Sequence, residues 1–186
     1  MLIESNWCHS PPTDINKKFL DWLTKPYIIS KAMKQVCTNL AVKIISQELD
    51  IILPSETNLL NYDNDKAFIR KVFLTGDNFP WEYARVVVPK TTYLQYKTTF
   101  TELGGKLIGE NLLYNNPKTT RDKFEYTSLN NNSFILNEIN RYLANLNFDI
   151  NVSEIYGRRS IFHIDGAFPL LISEFFLPQI PEYPKD

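Results

Sequence analysis

Hydrophobic and polar positions along the chain change period several times, and each change marks an element. Ile15, Phe19, Trp22 and Leu23 recur three and four residues apart, the spacing of one helix face, with Thr13–Asp14 as the N-cap and Pro26 as the stop. A second helical stretch runs from Ser30 to Cys37. Between Leu40 and Ile52 the period drops to two, Val42 and Ile44 alternating against Lys43, which predicts a strand. The polar, turn-rich run from Pro54 to Asp65 reads as a loop. Two hairpins stand far apart, Phe68 to Pro89 turning at Gly76-Asp77-Asn78, and Arg158 to Pro178 turning at Asp165-Gly166. Between them lie a helical stretch from Thr91 to Leu103, a Gly104–Gly105 break, an apolar segment around Leu107–Leu113 and a strand from Thr120 to Ser128. An amphipathic helix from Phe134 to Leu146 follows, its stripe formed by Ile135, Ile139, Tyr142, Leu143 and Leu146. Strands and helices mix without βαβ alternation. The predicted class is therefore α+β, a six-stranded antiparallel sheet with helices mostly on one face, in a single domain spanning 1–186.

The hairpins echo one another. Arg70, Phe79-Pro80, Arg85 and Pro89 are matched by Arg159, Phe168-Pro169, Glu174 and Pro178 at one constant offset of 89 positions. Two readings stand: turns and prolines common to any hairpin, or a quasi-twofold pair in one sheet. On the second, Arg85 and Glu174 occupy equivalent strand positions with opposite charge. They would then hold opposite ends of one polar substrate, or form a structural salt bridge.

Period two also separates the chemistry-bearing residues by face. Glu174 shares a face with Leu170, Ile172 and Phe176, while Leu171, Ser173, Phe175 and Leu177 take the other, so both faces are largely apolar and the strand is central. A carboxylate there is costly to bury unless paired or protonated, which makes Glu174 a functional candidate or one half of a buried ion pair. Arg70 shares a face with Phe68, Val72 and Leu74. It needs an anion, either Glu174 or a substrate carboxylate, or else it reaches the surface from a sheet edge. Arg158 and Arg159 point to opposite faces, and His163, on the face of Arg159 and Ile161, reads as a surface or satisfied histidine.

Composition adds mainly exclusions. A hydrophobic fraction of 44%, a charged fraction of 22% and a net charge of −1 describe an ordinary globular chain with no basic excess, so no nucleic-acid partner is expected. Two cysteines, Cys8 and Cys37, make no disulfide framework, and two separated histidines make no metal site, so no metal is expected. No apolar run approaches a membrane span, and Met1 to Pro12 lacks the pattern of a secretory signal. No GxSxG, HExxH, Walker or Rossmann pattern occurs.

Several segments resemble the chorismate lyase (chorismate–pyruvate lyase) family in the right order. Pro80-Trp81-Glu82-Tyr83-Ala84-Arg85-Val86-Val87-Val88-Pro89 is similar to the family's Pro-Trp, a small residue before Arg, then valines and Pro. Leu103-Gly104-Gly105-Lys106-Leu107-Ile108-Gly109 resembles its Leu-Gly…Leu-Gly turn, and Tyr156-Gly157-Arg158-Arg159-Ser160 its aromatic-Gly-Arg-Arg-Ser strand. The stretch Pro169 to Pro178 resembles its Pro-Leu-Leu…Glu…Phe-Leu-Pro ending, and Asp21-Trp22-Leu23 also fits.

The resemblance implies a six-stranded antiparallel sheet with helical flaps over a buried site. It implies conversion of chorismate to 4-hydroxybenzoate and pyruvate without a cofactor. By motif position it makes Glu174 the catalytic carboxylate, Arg70 the binder of the ring carboxylate, and Ile108 and Ile29 backbone contacts. Arg85 joins them as a binding candidate through the echo. The longer Asn130–Glu154 segment resembles a divergent branch found in cyanobacteria, algal plastids and mycobacteria. The corresponding expectations are a monomer, placed in the plastid stroma if plastid-encoded and otherwise in the cytoplasm. The alternative function is a non-catalytic aromatic-acid binder of the same fold.

Overall fold

The structure is a computed structural model and describes residues 4–25 and 27–185. Pro26, expected to end the first helix, lies outside the described residues. Before the sheet come α1 (Lys17–Thr24), capped by the Asn16 side chain rather than by Thr13–Asp14, and α2 (Ile29–Met33). β1 (Leu40–Ile51) pairs with β2 (Lys66–Gly76), which turns into β3 (Phe79–Val88). The stretch between β1 and β2 is helical over Pro54–Leu60 (α3), where a loop is expected from composition. Proline at the first helical turn has no N–H to leave unsatisfied, and Glu56 reaches back to accept from the Leu53 N–H at 2.9 Å.

After β3 the helical stretch breaks at Tyr96 into α4 (Lys90–Gln95) and α5 (Lys97–Glu102), and a π-helical turn follows at Gly109–Leu113. The strand expected over Thr120–Ser128 is two short strands, β4 (Thr120–Arg121) and β5 (Glu125–Asn130). Then come α6 (Phe134–Asn145), capped by Ser133, and the second hairpin, β6 (Glu154–Ile164) and β7 (Phe168–Phe176). The sheet order is β1-β2-β3-β7-β6-β4, with β5 also on β6, and every pairing is antiparallel. Seven strands result rather than six, because β4 and β5 divide the β6 edge between them.

β3 and β7 join the hairpins at the centre of the sheet, and both of its faces are covered. On one face α1 and α2 pack on Val72, Leu74, Ala84 and Phe176, while α4, α5 and the π-helical turn cover Val86, Phe162 and Ile172. On the other, α6 covers Phe73, Tyr83 and Phe175, and α3 covers Ile69, Val87 and Leu171. Strands buried on both sides carry apolar residues at nearly every position, as β7 does. Buried charges on the α3–α6 face are paired within the fold. Lys71 meets Asp50 at 2.8 Å and Glu138 at 3.1 Å, Glu138 also accepts from the Tyr83 hydroxyl at 2.7 Å, and Arg159 meets Glu125 at 2.7 Å.

The echo between the hairpins breaks at one residue. In β2–β3 the pairing runs from Thr75↔Pro80 to Leu74↔Glu82, leaving Trp81 as an extra residue, a β-bulge that β6–β7 lacks. Trp81 folds its ring over Gly76, where an added Cβ would lie 2.2 Å away. A one-residue slip sends every later side chain to the opposite face. Ala84, not Arg85, therefore pairs with Glu174, and Arg85 pairs with Ser173.

Candidate active site

The face beneath α1, α2 and the π-helical turn holds a cavity of about 660 Å³, its open mouth included. Arg70, Glu174, Ile29 and Ile108 all line it. Arg85 does not. The bulge turns it to the other face, where Nε donates to Glu56 Oε1 at 2.7 Å, and Nη2 donates to Glu56 Oε2 at 3.1 Å and to the Ile51 carbonyl at 3.0 Å. The expectation that Arg85 binds substrate is therefore corrected: it anchors α3 to the sheet. Truncating one partner of such a buried pair strands the other charge, so Arg85→Ala should lose about 3–5 kcal/mol of stability. The loss would show as a lower urea midpoint. Activity per folded molecule should stay near wild type.

Along the cavity face the strands stack in levels. Arg70 stands level with Val86 and Ile172, Glu174 with Val72, Ala84 and Arg158, and Glu82 with Leu74 and Phe176. Arg158 lies directly across from Glu174, and its Nε donates to Glu174 Oε2 at 2.6 Å. Its Nη1 donates to the Leu23 carbonyl at 3.1 Å, and its guanidinium sits 4.3 Å over the Phe124 ring. The guanidinium that meets Glu174 is thus Arg158 and not Arg70. Arg70 is two strands and two residues away, on the order of 12 Å between Cα atoms at ordinary strand spacings.

Arg70 is 1% exposed. It donates to Gln47 Oε1 and, at 3.1 Å, to the Lys106 carbonyl. Among the described residues no carboxylate lies within ion-pair distance of it. Burial pulls its pKa down to about 10, so it stays charged at neutral pH. Arg121, also on the cavity wall, donates to the Tyr27 carbonyl at 2.7 Å and stacks 3.8 Å from the Tyr27 ring, and it too lacks an ion-pair carboxylate among the described residues. Burial lowers its pKa as well.

Glu82 also lines the cavity. It is 1% exposed, and its Oε2 is buried without a hydrogen-bond partner among the described residues. Burial and the neighbouring Glu174 charge raise its pKa well above the usual carboxylate range, against the pull of Arg158. Tyr114 stands on the same wall, and burial with the Glu174 charge raises its phenol, so it remains a neutral donor. His163 lies elsewhere, half-buried with Nε2 3.2 Å from Asp122.

Sequence reasoning missed Glu82, Arg121 and the pairing of Arg158 with Glu174. Glu82 was legible only as the residue two before Ala84 and four before Val86, on a face that attention to Arg85 inverts.

A chemical picture follows from this geometry. A buried guanidinium, Arg70, and a half-buried one, Arg121, neither with an ion-pair carboxylate among the described residues, suit a ligand with two carboxylates. An ion-paired carboxylate, Glu174, and an acid with a raised pKa, Glu82, stand on the strands between them, on a wall that is largely apolar.

Comparison with known proteins agrees in scale with the fold. The sequence model of the family described as Chorismate lyase matches residues 1–185. A protein named "Probable chorismate pyruvate-lyase" from Pseudoalteromonas atlantica is 28% identical over 173 residues, covering 90% of this chain and 83% of the relative. The protein named "Chorismate pyruvate-lyase" from Pectobacterium carotovorum is 26% identical over 180 residues, covering 96% and 87%. Among solved structures, the effector domain of PhnF from Mycobacterium smegmatis superposes with a TM-score of 0.54 at 11% identity, over 82% of this chain and 89% of that one. The likeness to that domain is one of fold.

Proposed function

This chain belongs to the chorismate lyase family, and on that footing we propose that it converts chorismate to 4-hydroxybenzoate and pyruvate in the cavity above β2, β3, β7 and β6. The observation that carries the proposal is the buried Arg70 guanidinium, with no carboxylate partner among the described residues, sharing one cavity with Glu174. A buried charge without an anion is costly, and a ligand carboxylate offsets that cost through a bidentate, charge-assisted bond.

In this reading the ring carboxylate of chorismate sits on Arg70. The second carboxylate, on the enolpyruvyl group, falls toward Arg121. Glu174 then stands beside the far end of the ring, where the hydroxyl and the ether oxygen are attached. Carbon 4 loses its hydrogen as a proton, and that C–H pair becomes the third ring double bond. The bond from carbon 3 to the ether oxygen breaks with its electrons on oxygen. Enolpyruvate leaves, takes up one proton and tautomerises to pyruvate, so atoms and charge balance. Aromatisation drives the step. The protein therefore contributes chiefly position and electrostatics: an anchored ring, a dry wall and a carboxyl group at the reacting end.

The test is incubation of the purified protein with chorismate, following 4-hydroxybenzoate by absorbance and pyruvate by a coupled reduction. Equimolar release of both is expected. Tight binding of 4-hydroxybenzoate with no turnover would instead mark a non-catalytic binder of aromatic acids and sink the proposal.

A further inference from the structure

Glu82 has no part in the reading above, yet it is the most conspicuous unsatisfied group in the cavity. On adjacent strands of one face, Glu82, Glu174 and Arg158 form a row: Ala84 is opposite Glu174, Glu82 is two residues further along β3, and Arg158 is opposite Glu174 on the other side. The row holds two carboxyl groups and one guanidinium. Arg158 donates to Glu174 at 2.6 Å, whereas Glu82 Oε2 meets no donor or acceptor among the described residues. One positive charge does not offset two negative ones on an enclosed wall, where Glu82 is buried and Glu174 half-buried, so the row retains a proton, and it rests on the more buried acid. The raised pKa of Glu82, driven first by burial and then by the Glu174 charge, agrees with that placement.

The levels of the sheet say which part of a ligand this acid meets. Arg70 is level with Val86, two residues beyond Ala84 in one direction, and Glu82 is two residues beyond it in the other. A ring anchored by its carboxylate on Arg70 therefore points its opposite end toward the Glu174–Glu82 pair.

Resting on the chorismate lyase reading, we propose that the Glu82 carboxyl group donates a hydrogen bond to the ring oxygen para to the carboxylate and so selects hydroxylated rings. A hydroxyl both donates and accepts. The ring hydroxyl donates a hydrogen bond to the Glu174 carboxylate and accepts one from the protonated Glu82 carboxyl, which gives all three groups a partner. Glu82 is in this sense a specificity-determining residue that touches substrate and product alike, and no covalent step passes through it.

The experiment compares equilibrium binding of 4-hydroxybenzoate and of benzoate, which lacks only the para oxygen, to wild type and to Glu82→Leu, Glu82→Met and Glu82→Gln. Intrinsic tryptophan fluorescence or calorimetry reports the affinity. In the apolar variants the affinity for 4-hydroxybenzoate should fall about tenfold, the worth of one hydrogen bond that leaves a buried group unpaired when lost, while benzoate stays within about twofold. Glu82→Gln keeps a donor and should retain most of the preference. Two apolar replacements guard against a packing failure in either one. Equal losses for both ligands, or an undiminished preference for the hydroxylated ring, overturn the role of Glu82 alone. Wild type that binds neither acid overturns the functional reading and this role with it.

Discussion

Arg70→Met is expected to abolish most of the activity while leaving the protein at least as stable as wild type. Losing one partner of a desolvated, hydrogen-bonded charge pair costs about 2–5 kcal/mol, so kcat/KM for chorismate should fall roughly 30- to 4,000-fold. Most of the change should lie in KM, because the ring carboxylate is present in substrate and transition state alike. Stability should move the other way. Arg70 is buried against neutral partners, the Gln47 side chain and the Lys106 carbonyl, with no anion among the described residues to offset its desolvation. An apolar side chain of similar length removes that penalty in the unliganded protein. Steady-state kinetics and a urea titration on the same preparation check both halves. A variant that is strongly destabilised, with KM unchanged, would show that Arg70 serves the fold.

The second large effect is expected at Glu174. Glu174→Gln should lower kcat by about two orders of magnitude, within the range of about 10²–10⁴ seen when a positioned acid or base is removed. Affinity for 4-hydroxybenzoate should change only severalfold. The amide keeps an oxygen for Arg158 and a polar group at the ring, so geometry is retained and charge is lost. Glu174→Ala also removes the carboxylate that meets the buried Arg158 guanidinium and should weaken both kcat and stability. Single-turnover measurement separates the two variants, and a Glu174→Gln enzyme within threefold of wild type in kcat would remove Glu174 from the chemistry.

Much of the scaffold was legible because period and turn chemistry agree. The two hairpins turn where Asp77, Asn78, Asp165 and Gly166 adopt positive φ, as those residue types allow. The faces of β7 and β2 follow from simple alternation, so the apolar companions of Glu174 and of Arg70 could be named before any coordinates, whereas their common side of the sheet comes from the register. α3 was not legible, because its composition is that of a loop and much of what holds it is tertiary: Glu56 is fixed by Arg85 from a strand 29 residues away. The bulge at Trp81 was not legible either. One extra residue leaves no mark on composition, yet it moves Arg85 out of the site and Glu82 into it. The pairing of Arg158 with Glu174 depends on hairpin register, which the three-residue turn sets and sequence alone leaves open.

The two-sided sheet has a consequence for how this chain can vary. Along β3 and β7, neighbouring positions answer to different demands: Arg85, Ser173 and Phe175 hold α3 and α6, while Glu82, Ile172 and Glu174 line the cavity. A saturation library of these strands, scored separately for cellular abundance and for turnover, should show defects that alternate residue by residue. Substrate preference could then drift along one set of positions while the other keeps the protein folded, two evolutionary histories interleaved in the same strand.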